Sequence, residues 1–350
     1  MKIGPVRVIV WGLGAMGRLM IPMVLADPEL RLVGAVSRRA AGRTVDTAEL
    51  AGLSSPTGVP ASATLEEAVE RAGGADVVLH GTSSFVREVV GEIEACLDHH
   101  LDVVTIAEEM AYPWAADPGL SDRLDQVARE RGRTILGTGV NPGFVLDTLI
   151  VALSCVTAHV EKIYASRIND LSPFGPTVMR TQGVGLAPDE FVRRVADGTV
   201  VGHIGFPQSI HLIARALGLE LTRVEESRDP IVSSVRRTTP HVVVEPGFVA
   251  GCRHSARGFV GDRVVIELDH PQQVHPGLEG VETGDYIRLT GHPTIELRTG
   301  PEIPGGVATA AIAVNMVRPV ASARPGLLTV LDLPLPRGSA RRRAEVIAGG

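Results

Sequence analysis

An apolar run followed by a glycine-rich turn near the start of the chain restricts its fold more than any other feature. Arg7–Trp11 has the character of a buried strand, and the next residues have the spacing G-x-G-x-x-G: Gly12-Leu13-Gly14-Ala15-Met16-Gly17. The spacing gains meaning from the strand before it and the helical pattern after it. Gly12 would allow a tight turn, Gly14 a close approach of backbone to a pyrophosphate, and Gly17 close helix–strand packing. The motif predicts a dinucleotide-binding turn; a turn that needs glycine only for packing is the alternative.

A Ser-Arg-Arg triplet follows the second predicted strand, which ends at Val36. Sites that prefer NAD usually carry an acid there to bind the ribose 2′-hydroxyl. Here Ser37, Arg38 and Arg39 take that place. An acid would repel a 2′-phosphate, whereas arginine can pair with it and serine can donate a hydrogen bond to it. We therefore predict NADP as the cofactor, with NAD also possible because arginine can stack on adenine. Two solvated loop charges are the alternative.

Short apolar runs alternate with helical patterns over residues 1–143. The predicted strands are Arg7–Trp11, Arg31–Val36, Asp76–Gly81, Asp102–Ile106 and Thr134–Gly137. The predicted helices are Leu19–Ala26, Leu65–Arg71, Val86–Leu97 and Leu120–Arg131. Buried parallel strands read as short runs rich in Val and Ile, and such alternation is typical of βαβ units. These residues are therefore predicted to form an α/β, Rossmann-type doubly wound parallel sheet.

The pattern changes over residues 144–304, which we expect to form a second, α+β domain. Helices are predicted at Val145–Val156, Pro188–Asp197 and Pro207–Leu217, and strands at Leu221–Arg228, Val242–Val244, Phe248–Phe259, Arg263–Asp269 and Asp285–Thr290. In the run HVEKIYASRINDLSPFG, the first half alternates like a strand with one exposed face, and the end carries loop signals. Long alternating strands joined by turns predict a mostly antiparallel sheet with one face covered by helices.

The last part of the chain carries two further signals. The small-residue run Gly305–Val317 predicts a helix, and residues 305–333 are expected to return the chain to the first domain. Residues 334–350 combine Pro, Gly and an arginine run, which predicts a mobile basic tail.

Polar residues follow several strands of the predicted parallel sheet, at the edge where open α/β sheets bind ligands. Gly81, Thr82 and Ser83 follow one strand and would lie near the ribose or pyrophosphate of a cofactor. The pair Glu108 and Glu109 follows the next strand. Neighbouring residues on an extended segment point to opposite faces, so one carboxylate would face the ligand. Two solvated loop glutamates are the alternative. Asn141 opens a helix at the predicted domain junction, where a nicotinamide would be presented.

Composition excludes several classes of function. A net charge of −6 leaves no global nucleic-acid footprint. The three cysteines, Cys96, Cys155 and Cys252, are far apart and form no zinc-binding pattern, and a sparse count fits a reducing compartment. The most apolar later stretch, residues 148–160, is too short to span a bilayer. We expect a cytoplasmic protein without metal, nucleic-acid or membrane partners.

Several segments together resemble one enzyme family. They are WGLGAMGR, HGTSSF, AEEMAYPW, GTGVNPGFVLDTL and, most specifically, SRINDLSPFGPTVMRTQGVG. They are similar to segments of the 2,4-diaminopentanoate dehydrogenases, which belong with dihydrodipicolinate reductase-like enzymes and natural amine dehydrogenases. The resemblance covers about residues 5–320. It implies NAD(P)-dependent oxidative deamination of the 4-amino group of 2,4-diaminopentanoate to 2-amino-4-oxopentanoate and ammonia, a step in ornithine breakdown.

The resemblance also implies roles for particular residues. It places the catalytic glutamate in the Glu108–Glu109 pair, with Glu108 the first choice, and it places Arg167 and Asn169 at the substrate. Phe174 and Arg180 lie in the same block and are further substrate-binding candidates. Arg180 is a candidate because a substrate carboxylate needs arginine or polar donors. An interdomain salt bridge is the alternative for either arginine. A homodimer is also expected by resemblance, and exposed edge strands in the second sheet would suit subunit pairing.

Two departures and two rival functions accompany this interpretation. The His-His…Lys…Ser-Gly-Thr loop of true dihydrodipicolinate reductases is missing, which disfavours their reaction. No cysteine follows a predicted strand end, which disfavours thiol-dependent aldehyde oxidation.

A reductive aminase or amine dehydrogenase for simple ketones and amines stays open, although two candidate arginines weigh against it. A non-enzymatic NADP-binding sensor also stays open, although it would not need the two carboxylates.

Overall fold

The computed structural model describes residues 4–340. The described residues up to Phe144 and from Pro304 onward form one compact unit, and Val145–Ile303 form a second. The arginine run of the predicted tail, residues 341–343, lies outside the described residues.

The first unit begins with alternating strands and helices. They are β1 (Val6–Trp11), α1 (Ala15–Ala26), β2 (Leu30–Val36), β3 (Val45–Asp46), α2 (Thr47–Ala51), β4 (Pro60–Ser62), α3 (Leu65–Ala72), β5 (Val77–His80), α4 (Val86–Asp98), β6 (Asp102–Thr105), α5 (Pro118–Arg131) and β7 (Thr134–Gly137). Helix α1 begins four residues before the predicted start, because the glycine turn leads directly into it.

The second unit contains four helices and eight strands among its described residues. They are α6 (Thr148–Ser154), β8 (His159–Asp170), α7 (Pro176–Thr181), α8 (Pro188–Ala196), α9 (Phe206–Leu217), β9 (Arg223–Val232), β10 (Arg237–Thr238), β11 (Val243–Val244), β12 (Val249–Val260), β13 (Arg263–Gln273), β14 (Gly284–His292) and β15 (Ile295–Thr299). The chain then adds α10 (Gly305–Ala321) and β16 (Gly326–Leu328) to the first unit.

The first unit is built on an eight-stranded sheet with the order β16-β7-β6-β5-β1-β2-β4-β3. All its neighbouring strands pair in parallel except β3 with β4. The central strands are covered on both faces, and Val8, Ile9 and Val10 are fully buried. The parallel order places the carboxyl ends of β1, β2, β5 and β6 along one edge. The predicted doubly wound α/β sheet is confirmed.

The second unit has a six-stranded sheet in the order β15-β14-β8-β13-β12-β9. Its strands pair antiparallel except β8 with β13, which confirms the mostly antiparallel prediction. Strand β8 extends beyond the alternating first half of its segment, to Asp170, and the loop predicted for the end of the segment follows it. Its last residues pair with both β13 and β14, so the neighbouring strands on each side decide their conformation.

The helix predicted over Val145–Val156 is also shorter, and it spans Thr148–Ser154. Asp147 ends the preceding turn, and its carboxylate accepts the backbone N–H of Thr148 at the start of the helix. An aspartate at this position satisfies an N–H group that would otherwise lack a helical partner. Local capping therefore overrides the apolar pattern upstream of the helix.

Candidate functional site

The glycine turn joins β1 to α1 with no room for side chains at two of its glycines. Gly12 has φ +102°, and a Cβ there would lie 2.3 Å from the carbonyl oxygen of Gly81. A Cβ on Gly17 would lie 2.1 Å from the carbonyl oxygen of Gly12. Gly14, in contrast, faces open space at the N-terminus of α1 and offers no side-chain cap to the helix. The turn thus leaves backbone N–H groups of the first helical turn available to an anion.

A cavity of about 1020 Å³ lies in front of this turn, within the first unit. Its walls come from the turn, the end of β2, the start of α3, the loop after β5 and one face of α4. The predicted cofactor residues on these walls are Gly12, Leu13, Gly14, Ala15, Ser37, Arg38, Arg39, Gly81, Thr82 and Ser83. Met16 is half-buried in the first turn of α1, and its contact with a cofactor stays a prediction.

The two arginines after β2 differ in their contacts. The Arg39 Nη2 group donates to the carbonyl oxygens of Leu13, at 2.5 Å, and Leu50, at 3.0 Å. Arg39, which follows β2, therefore holds the glycine turn in place through the Leu13 carbonyl. Arg38 is exposed and lines the cavity. The Ser37 hydroxyl accepts the backbone N–H of Arg39 at 3.3 Å, which leaves its own O–H available as a donor.

Acidic residues of α4 meet the loop after β5. The Ser83 hydroxyl donates to Glu88, and the Thr82 hydroxyl donates to Glu92. The buried ring of His80 contacts Glu92 through Nε2 at 2.8 Å and the Thr105 hydroxyl through Nδ1 at 3.0 Å. Neither glutamate was predicted from the sequence, although their spacing of four residues places them on one face of a helix that follows a ligand-binding strand end.

The two adjacent glutamates after β6 lie in a short 3₁₀ turn, Glu108–Ala111. The Glu109 carboxylate accepts the backbone N–H of Val86 at 2.8 Å, and its own N–H donates to the carbonyl of Ser84 at 3.1 Å. Glu109 thereby caps the N-terminus of α4, which lacks a side-chain cap from its own N-cap residue, Phe85. A carboxylate is stabilised at that end of a helix by the helix dipole.

Glu108 has a different environment. Burial raises the pKa of the Glu108 carboxyl above its ordinary value; a hydrogen bond with the Ser84 side chain opposes this shift, and the neighbouring charge of Glu109 adds to it. A carboxyl with a raised pKa holds its proton more readily than an ordinary glutamate. The structure therefore separates the pair into one helix cap, Glu109, and one carboxyl with a raised pKa, Glu108.

The turn that carries Glu108 rests directly on β7. A Cβ on Gly137, the last residue of β7, would lie 2.0 Å from the carbonyl oxygen of Met110. Further along, the backbone N–H of Val140 donates to the Thr309 hydroxyl of α10 at 3.1 Å. Asn141 follows, half-buried, before a cis peptide bond to Pro142. Its contact with a cofactor stays a prediction.

The predicted substrate residues of the second unit fall into two groups. Arg167 is fully buried, and its guanidinium pairs with Asp285 and donates to the carbonyl of Ile303. Asn169 is also buried, with its side-chain oxygen 3.3 Å from His270 Nε2. Arg180, at the end of α7, is exposed, and Phe174 packs at the margin of a small apolar cluster. A substrate contact for each of the four stays a prediction.

Three histidines, the buried His254 and His270 and the half-buried His203, lie around Phe206 beside Arg167 and Asn169. The ring centroids of His203 and His254 lie 4.8 and 4.9 Å from that of Phe206, and His203 lies 4.9 Å from His270. Burial, reinforced by the charges of Arg167 and Arg228, lowers the pKa of His203 to about 3; burial also lowers the pKa of His254 to about 2 and that of His270 well below 6.5. No sequence signal pointed to this neutral cluster, because its members are far apart in the chain.

Two protein families match the chain. The N-terminal family of dihydrodipicolinate reductase matches residues 6–106. The 2,4-diaminopentanoate dehydrogenase C-terminal domain matches residues 144–348, more than half of the chain. The chain belongs to the 2,4-diaminopentanoate dehydrogenase family.

Relatives of this dehydrogenase cover nearly its whole length. A 2,4-diaminopentanoate dehydrogenase of Acetoanaerobium sticklandii is 42% identical, over 95% of this chain and 94% of the relative. An amine dehydrogenase of Streptomyces virginiae is 27% identical, over 94% and 96% of the two chains. The structure of an amine dehydrogenase from Mycobacterium smegmatis superposes with a TM-score of 0.84, at 26% identity and over 97% and 98% of the two chains.

These relationships confirm the predicted family, fold and enzyme class. The protein is an NAD(P)-dependent oxidoreductase that acts on an amino group of a small molecule. Within residues 4–340, no helix has both the length and the apolar character needed to cross a bilayer.

Proposed function

We propose that this dehydrogenase oxidises the 4-amino group of 2,4-diaminopentanoate to give 2-amino-4-oxopentanoate and ammonia, and that it uses NADP at least as well as NAD. The near-full-length likeness to the enzyme of A. sticklandii carries this proposal. The cavity walls support the cofactor part, because they combine an open helix N-terminus with an exposed arginine and no acid directly after β2.

The residues present fit a dinucleotide. The space in front of Gly14 and the N–H groups at the start of α1 suit a pyrophosphate, and Arg38 with Ser37 suits a 2′-phosphate. Arg39 acts indirectly, by holding the carbonyl of Leu13. When bound, the nicotinamide supplies a hydride acceptor. The chain itself supplies the phosphate contacts and the position of the turn.

Glu108 is the proposed acid–base group. Loss of hydride from the amine-bearing carbon leaves an iminium, whose positive charge an ionised Glu108 would stabilise. A water then adds to the iminium carbon as Glu108 takes one of its protons, which gives a carbinolamine. Glu108 returns that proton to the nitrogen and then accepts the hydroxyl proton as the C–N bond breaks, which leaves the ketone and ammonia. A positive charge nearby favours the ionised carboxylate, which opposes the effect of burial. Glu109 is the alternative acid–base group, but its carboxylate already caps α4, which favours Glu108 for this role.

Recognition of the substrate carboxylate is proposed to involve Arg167, Asn169, Phe174 and Arg180. Arg180 is the more direct candidate of the two arginines because it is exposed, whereas the charge of Arg167 is already balanced by Asp285. Arg167 would then act by keeping the cluster of Asn169 and the histidines in place.

A coupled absorbance assay of NAD(P)H formation tests the proposal. The panel is 2,4-diaminopentanoate, ornithine, lysine and simple amines without a carboxylate, each with NADP and with NAD. We expect the highest kcat/KM with 2,4-diaminopentanoate and NADP. Higher kcat/KM with simple amines would favour the broader amine dehydrogenase function of the other relatives. Cofactor binding without turnover of any amine would contradict an enzymatic role.

We also propose that the protein is a cytoplasmic homodimer that serves ornithine breakdown. The edge strands β9 and β15 of the second sheet support pairing between copies, because edge strands invite further pairing. Light scattering coupled to size-exclusion chromatography would give the mass of one chain if this assembly is wrong.

A further inference from the structure

The wall of the cofactor cavity that α4 forms carries a fixed acid. Glu92, on α4, lines the same cavity as Arg38, and its side chain is about one-third exposed, at 35%. The Glu92 carboxylate is held by His80 Nε2 at 2.8 Å and by the Thr82 hydroxyl. Because two partners from the loop and strand β5 hold it, the carboxylate cannot swing away when a ligand enters.

The hydrogen bonds around His80 also determine where the protons lie. Thr105 Oγ1 accepts the backbone N–H of Ala107 at 3.1 Å, so its own hydrogen can point to His80 Nδ1. With Nδ1 as acceptor, His80 carries its proton on Nε2 and donates it to Glu92. Glu92 thus receives two donors. Burial opposes its ionisation, but the hydrogen bonds from His80 and Thr82 and the charge of Arg38 outweigh burial, so the pKa of Glu92 lies below its ordinary value.

We propose that Glu92 is a specificity-determining residue of the cofactor site, a fixed negative charge that disfavours NADP relative to NAD and so offsets Arg38. The inference rests on the proposed binding of the cofactor in this cavity. NADP differs from NAD only by the 2′-phosphate, and a fixed carboxylate in the same cavity repels that group while Arg38 attracts it. The acid that the end of β2 lacks is therefore supplied from α4.

Glu92→Gln tests the charge while keeping the shape. A glutamine at this position can still accept from Thr82, and the His80 ring can switch tautomer to accept from the amide. We expect the ratio Kd(NAD)/Kd(NADP), measured by fluorescence titration, to rise by roughly three- to thirtyfold. Glu92→Asp retains the charge and should leave the ratio near that of the unaltered protein.

Glu94→Gln is the matched control. Glu94 lies on the same helix and pairs with Arg123 away from the cavity, so its loss changes the net charge equally and should not move the ratio. Equal weakening of both cofactors by Glu92→Gln, or an equal shift of the ratio in Glu94→Gln, would overturn the proposal.

Arg38→Ala distinguishes a failure of the role proposed for Glu92 from a failure of the proposed 2′-phosphate site. If Arg38→Ala weakens NADP selectively but Glu92→Gln leaves the ratio unchanged, only the role of Glu92 fails. If Arg38→Ala has no selective effect, the proposed phosphate site itself fails. If both hold, Arg38→Ala combined with Glu92→Gln should return the ratio toward its original value, because the two opposite charges are removed together.

Discussion

At the scale of single residues, contacts separate side chains that look equivalent in the sequence. Glu108 and Glu109 are adjacent and chemically identical, yet only Glu109 accepts an N–H at the start of α4. Arg38 and Arg39 are adjacent as well, yet only Arg39 holds the carbonyls of Leu13 and Leu50. In each pair, one member is held by backbone groups, and the other is the residue that we propose to contact a ligand.

The glutamate pair gives the first prediction. Glu108→Gln should lower kcat by about 10²–10⁴-fold, because the shape remains but the base is lost, and cofactor affinity should change little. Glu109→Gln should instead lower the free energy of unfolding by about 1 kcal/mol through the weakened helix cap. Turnover, cofactor titration and urea unfolding of both variants check this. A dead Glu109→Gln beside an active Glu108→Gln would reverse the assignment.

The arginine pair gives the second prediction. Arg38→Ala should weaken NADP by about 1–3 kcal/mol and leave NAD nearly unchanged, since only NADP has the extra phosphate. Arg39→Ala should weaken both cofactors alike, because it loosens the glycine turn that both would use. Isothermal titration with each cofactor checks this. Unchanged binding in both variants would make the arginines solvated loop charges.

The third prediction separates the substrate arginines. Arg180→Ala should raise KM for 2,4-diaminopentanoate but not for an amine without a carboxylate. Arg167→Ala should lower the free energy of unfolding by about 3–5 kcal/mol, because it leaves the buried charge of Asp285 unpaired. Steady-state kinetics with both substrate types and urea unfolding check these outcomes. If Arg167→Ala leaves the free energy of unfolding unchanged, Arg167 is not needed for the fold and would instead contact the substrate directly.

At the scale of elements, the position of Glu108 depends on three segments of the first unit. The turn that carries it, Glu108–Ala111, follows β6, caps α4 through Glu109 and rests on Gly137 at the end of β7. Contact of backbone with backbone at Gly137 leaves no flexible side chain that could move aside.

The fourth prediction concerns this contact. Gly137→Ala should destabilise the protein by about 1–3 kcal/mol and lower kcat by about 10²-fold, since a displacement of about 1 Å at a reacting group has that effect. Gly91 is an exposed residue of α4, and no atom lies near a Cβ built there. Gly91→Ala should therefore leave the stability unchanged or raise it. Thermal unfolding and kinetics of both variants check this. Full activity of Gly137→Ala would show that the turn shifts without consequence.

At the scale of the whole molecule, the buried histidines of the second unit link folding to pH. His203, His254 and His270 stay neutral in the folded state because burial lowers each pKa far below 6.5. In the unfolded chain, each pKa returns to about 6.5. Below that pH the unfolded state binds protons that the folded state cannot, so stability is complete above about pH 6.5 and falls as the pH decreases.

The fifth prediction follows from this linkage. Each histidine should remove about 1.4 kcal/mol per pH unit between roughly pH 6 and 5. The raised pKa of Glu108 changes the stability in the opposite direction as the pH falls, but it is one group against three histidines. Urea unfolding at several pH values checks the slope. His254→Asn, which can keep an acceptor for the N–H of His203, should reduce the slope by about one third, and an unchanged slope would show that the cluster does not control acid stability.

The sequence alone was sufficient for the features that depend on local pattern. The glycine spacing, the strand–helix alternation and the polar residues after strand ends predicted the parallel sheet and the residues that line its cavity. These signals are local because a buried parallel strand must be apolar throughout and a tight phosphate-binding turn must contain glycine. The family was also recognisable from short segments such as the run from Ser166 to Gly185.

Only the tertiary structure decided what depends on partners distant in the chain. Arg167 was expected to meet substrate, and it is paired with Asp285, 118 positions away. The strand pattern of β8 was clear only in its first half, and pairing with β13 and β14 extends the strand to Asp170. The three histidines gave no sequence signal, and the helical spacing of Glu92 did not show that His80 holds its carboxylate, because both features depend on burial and hydrogen bonds in the folded chain. Adjacent residues of identical type acquire different roles in the same way, since pairing and desolvation arise only when the chain is folded.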